Sequence, residues 1–105
     1  MKATDIKALR AAEKARLSES LCTTALLIQE LNGVMDASDY ALSRARSLKE
    51  IREIALETAR CIEASARSLE SKAGFTNPMQ RALAERSASY RRLGRACREL
   101  ERLKA

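Results

Sequence analysis

Gly74-Phe75-Thr76-Asn77-Pro78-Met79-Gln80 is the stretch that sets the helix count. Gly74 suits the left-handed position that closes a helix, and Phe75 can fold back over the last turn. Asn77 has a side-chain oxygen for a helix N-cap, Pro78 fits the first helical position, and Gln80 completes a capping box. These signals predict one helix ending at Ala73 and another starting at residue 78.

Downstream, Met79, Leu83, Arg86, Tyr90, Leu93, Cys97 and Leu100 recur at alternating steps of four and three. That spacing predicts a third helix over 78–104 with one inward stripe. Arg86 interrupts the stripe, but its aliphatic stem can cover a seam edge while its charge reaches water. Gly94 costs about 1 kcal/mol relative to alanine inside a helix, which close packing against another helix would offset.

Upstream, Ala41, Ala45, Leu48, Ile51, Ala55, Ala59, Ile62, Ala66, Leu69 and Ala73 form another stripe. It predicts a second helix over 38–73, capped by Asp36 or Ser38, whose alanines let a neighbouring backbone come close. Ser47 with Glu50 also spells a capping box, so a break near Ser47 is the alternative and would make four helices. Farther upstream, Leu17, Leu21, Thr24, Ile28, Leu31 and Met35 share a face, with weaker continuation through Ile6 and Leu9. A first helix over 4–35 follows, capped by Thr4 or Asp5 and ended by the turn-forming pair Asn32-Gly33.

The resulting expectation is an all-α fold, one domain over 1–105, built as an elongated antiparallel bundle of three principal helices with coiled-coil-like seams. A helix of thirty residues is ~45 Å long at 1.5 Å per residue, which dictates the elongation. Only 3% of residues are aromatic, so the core must be aliphatic and alanine-rich and buries modest area per residue. A homodimer would relieve that deficit, with Leu17, Leu21, Ile28 and Leu31 serving either the core or the interface.

The chain offers little for catalysis. It has no histidine, and Cys22, Cys61 and Cys97 are widely spaced with no CxxC pair. That argues against a cysteine zinc site or disulfide scaffold and for a reducing, cytoplasmic setting. Cys97 lies on an apolar stripe and reads as a small core residue. Gly33, Gly74 and Gly94 are isolated and open no phosphate loop. Most acids sit at helical spacing from bases, as in Glu50 with Arg46, Glu53 with Lys49 and Glu57 with Arg60. Asp36 and Asp39 lack the further ligands of a calcium loop. No cofactor, metal or small-molecule substrate is indicated. The N-terminal residues lack the apolar run of an export signal, and no apolar run approaches a membrane span.

Charge is the strongest remaining signal. Residues 78–105 carry eight basic and three acidic side chains, most of the chain's net +6. At 100° per residue, Arg91, Arg95, Arg98 and Arg102 fall on one face of the third helix, suited to an acidic partner or a phosphate backbone. The function expected is a non-enzymatic protein-interaction or adaptor module. The alternative is a small nucleic-acid-binding regulatory protein using that basic face.

Overall fold

Two chain breakers compete in the first half of the sequence, and burial decides between them. The computed structural model describes residues 2–104. It has three helices, α1 (Ala3–Arg44), α2 (Leu48–Leu69) and α3 (Asn77–Lys104), and no strand among these residues. Asn32-Gly33 does not end α1, which corrects the expected boundary at residue 35. Leu31 and Met35 flank this pair and are both buried. A break there would pull one of them off the core, a larger loss than the ~1 kcal/mol cost of one helical glycine.

The break falls at Ser47 instead. Ala45 and Ser47 are extended, and the Ser47 hydroxyl accepts the Glu50 backbone N–H at 3.1 Å. The Glu50 carboxylate in turn accepts the Arg46 N–H at 2.8 Å. The sequence alternative at Ser47 thus gives three helices and not four, because the earlier break is unused. Asp36 and Ser38 are not caps but lie inside α1.

Two further boundaries shift. α2 stops at Leu69, four residues before the expected Ala73, and the chain turns through residues 70–76. Phe75 N–H donates to the Lys72 carbonyl at 3.3 Å, and Gly74 occupies the third position of that turn at φ 82°. A Cβ at Gly74 would also sit 2.8 Å from a Leu21 methyl. Thr76, one residue earlier than expected, caps α3 by accepting the Met79 N–H at 3.3 Å.

α2 packs chiefly on α3, and α1 joins along its second half. The alanine seam behaves as its spacing predicts: Ala55 and Ala59 are fully buried beside Ile62. α3, however, presents Ser87, Tyr90, Gly94 and Cys97 inward, while Leu93 and Leu100 are exposed. Its inner face is rotated by about one residue from the apolar stripe, because small groups at 87 and 94 permit close approach. A Cβ on Gly94 would lie 2.7 Å from a Leu56 methyl.

The molecule measures 77 × 21 × 16 Å with a radius of gyration of 20.1 Å. A compact chain of this length would have about 13 Å. The excess comes from α1: every residue from Lys2 to Glu19 is exposed, so its first half projects as an arm. Leu17 and Leu21, expected in a core or interface, lie on that arm at 53% and 44% exposure.

Candidate interaction surfaces

The basic face of α3 is divided by its neighbours. Arg91 extends to α2 and donates through two nitrogens to the Glu63 carboxylate, each at 2.6 Å. That hydrogen-bonded pairing holds Glu63 below the usual glutamate range and raises Arg91 further above its already high value. Arg102 pairs with Glu99 one turn away on its own helix. Arg95 and Arg98 make no ion pair among the described residues and are exposed.

These two free side chains border a shallow groove of about 210 Å³ between α2 and α3. Its walls are Arg60, Arg91, Arg95 and Arg98, and Leu56 and Gly94 complete the lining. Arg60, expected from the sequence only as the helical partner of Glu57, comes from α2 and does pair with Glu57 at 3.8 Å. Helical periodicity on one strand of sequence cannot reveal a residue supplied by a second helix. The groove therefore gathers Arg91, Arg95 and Arg98 with Arg60 and leaves Arg102 outside. Chemically it offers planar donors suited to carboxylates or phosphates beside a small apolar patch.

No stacking platform accompanies this groove. Tyr90 is buried at 5% exposure, and its hydroxyl donates to Asp39 of α1. Burial, followed by that hydrogen bond, raises the Tyr90 phenol above its ordinary value. Arg86, expected as a seam-edge residue, donates to Asp39 at 2.6 Å and to the Tyr90 hydroxyl at 3.1 Å. Asp39 is thereby a cross-helix acceptor, and Asp36 stays exposed on its own.

A second surface lies between α1 and α2, where α3 contributes nothing to the walls. Two adjoining hollows of about 170 and 350 Å³ share Val34 and extend along Leu27, Val34 and Ala41 of α1. Ile54 and Cys61 of α2 lie opposite. The charged residues in its lining are Glu30 and Glu57, with no basic side chain.

The cysteines divide as follows: Cys97 is buried as its stripe predicts, Cys61 is half-buried and Cys22 is exposed, all three unpaired. Among the described residues no helix is long and apolar enough to cross a membrane. Comparison with protein-family models, curated proteins and solved structures finds no match to this chain.

Proposed function

We propose that the protein is a non-enzymatic interaction module that receives an acidic segment of a protein partner in the groove between α2 and α3. The observation that carries this reading is the pair Arg95 and Arg98, which border the groove with no acidic partner among the described residues. Arg60 stands beside them, and Leu56 supplies an apolar contact next to the donors. A segment alternating carboxylates with aliphatic side chains matches that lining. The three unpaired cysteines fit action in the reducing cytoplasm.

The test is affinity capture from the native cell with the wild type and an Arg95→Gln/Arg98→Gln variant in parallel, followed by cross-link mapping. A partner that is lost with the variant, and whose cross-linked segment is acidic, supports the reading. An identical set of captured proteins from both chains overturns it.

Nucleic-acid binding by α3 is the second reading, favoured by the net +5 of residues 78–105. It is weaker because Glu63 and Glu99 already occupy Arg91 and Arg102, which reduces the number of phosphates the face neutralises. Titration against DNA, single-stranded RNA and double-stranded RNA at two salt concentrations separates the two. Salt-sensitive binding lost in the Arg95→Gln/Arg98→Gln variant would replace the protein partner with a phosphate backbone.

A further inference from the structure

The arm of α1 is a long helix that meets its own chain at Leu21, beside the turn at Gly74, and projects from there with residues 2–19 all exposed. Ile6, Leu9, Leu17 and Leu21 are all exposed along it, between 40% and 59%. Helices in proteins draw most of their stability from packing of an apolar face, and along the arm that face is uncovered. The same protomer carries an uncovered apolar groove between α1 and α2, and the two features match in three respects.

The first is length. Ile6 to Leu21 spans ~22 Å and Leu27 to Ala41 ~21 Å, at 1.5 Å per residue. The second is charge. Residues 2–20 carry five bases and three acids, a net +2, while the groove lining carries Glu30 and Glu57 alone. The third is placement. Arm and groove lie end to end on one continuous helix, α1. A two-fold axis across α1 near residues 23–24 would lay each arm along the other chain's groove, and both contacts close together.

We infer that the occupant of the α1–α2 groove is the arm of a second copy of this chain, in an antiparallel dimer. In that register Leu21 comes to the level of Leu27, and Arg16 to the level of Glu30. Lys7 and Arg10 come to the level of Glu57, because Glu57 neighbours Thr58, whose hydroxyl donates to Ser38 at 2.8 Å. Each arm presents a footprint ~22 Å long and ~10 Å wide, so both arms and both grooves together cover on the order of 1,000 Å², the threshold of a specific interface. The dimer uses walls other than the arginine groove, and its fate is independent of the function proposed for that groove.

Sedimentation equilibrium of the full chain across the micromolar range tests it, with Leu9→Glu on the arm and Val34→Glu in the groove. Leu9 touches no core, so its variant leaves the protomer intact, and circular dichroism verifies helicity for both. The wild type is expected at twice 11.6 kDa, with dissociation strengthened by salt. Each variant is expected to weaken the dimer at least about tenfold, as loss of a central apolar contact does. An equimolar mixture of the two variants keeps one intact arm–groove contact and is expected to associate more tightly than either alone. A monomeric wild type overturns the inference, as does a dimer unaffected by both variants. Loss with Leu9→Glu but not Val34→Glu also overturns it, because arms would then pair with each other outside the groove.

Discussion

The Tyr90 hydroxyl donates to the carboxylate of Asp39, tying α3 to α1 between residues 51 positions apart. α1 and α3 share little backbone contact, so this tie and the Arg86–Asp39 pair form the polar link between them. Tyr90 also belongs to the buried cluster of Leu31, Met35, Ala55, Ala59 and Ile62. One side chain thus serves the core with its ring and the inter-helix tie with its oxygen.

Tyr90→Phe keeps the ring and removes the tie. A hydrogen bond to a charged group contributes roughly 1.5–3 kcal/mol, and the partial exposure of Asp39 reduces this to about 1 kcal/mol here. For a domain of this size that is a Tm lower by roughly 4–8 °C, measurable by thermal circular dichroism. An unchanged Tm would show that the link carries no stability.

The raised Tyr90 value has a pH consequence. Folding favours the neutral phenol, so the contribution is fully present below the ordinary tyrosine value of 10.0. It is lost as pH rises through the higher folded value. Ultraviolet titration of phenolate in a Tyr40→Phe background reads Tyr90 alone. Titration at or below the ordinary value would contradict the buried, bonded geometry.

Gly33 lies inside α1 and an added Cβ meets nothing within 4 Å. Gly33→Ala is therefore expected to stabilise the protein by up to about 1 kcal/mol, through helix propensity and unfolded-state entropy. Ser47→Ala should instead cost about 1 kcal/mol, because the α2 cap is lost. Urea denaturation of both variants checks the pair. The opposite signs would restore a break at Asn32-Gly33.

Gly94→Ala gains the same propensity yet places a Cβ 2.7 and 2.9 Å from two Leu56 carbons. Overpacking of this kind costs roughly 1–3 kcal/mol, so net destabilisation of about 1 kcal/mol is expected. In a Leu56→Ala background the same change should become neutral or stabilising, a coupling that a double-mutant cycle measures. Additive effects would mean the two residues do not touch.

Arg91→Gln and Arg95→Gln should separate a structural arginine from a free one. The first leaves Glu63 without its bidentate partner and should lower Tm by a few degrees, whereas the second should leave it unchanged. The Arg91 contribution is present above the ordinary glutamate range and fades as pH falls through the depressed Glu63 value. Equal effects of the two substitutions at neutral pH would dissolve the distinction.

Local chemistry alone determined that this chain is helical, that it reverses in a turn containing Gly74, and that alanines line the seam of α2. Those features depend on backbone preference, spacing and caps that act within a few residues. Ser47 and Asn32-Gly33 were both legible as breakers, but tertiary burial of Leu31 and Met35 decided which one the chain uses. The inward face of α3 is not the one hydrophobicity predicts, because Ser87 and Gly94 are inside for their small size, a property that matters only once α2 lies against them, as Leu56 does against Gly94. The four arginines of the basic face were legible as a helical stripe. Arg102 is committed by Glu99 one turn away on the same helix, but Arg91 is committed by Glu63, which arrives from α2, and such long-range pairing leaves no trace in the periodicity of a single segment.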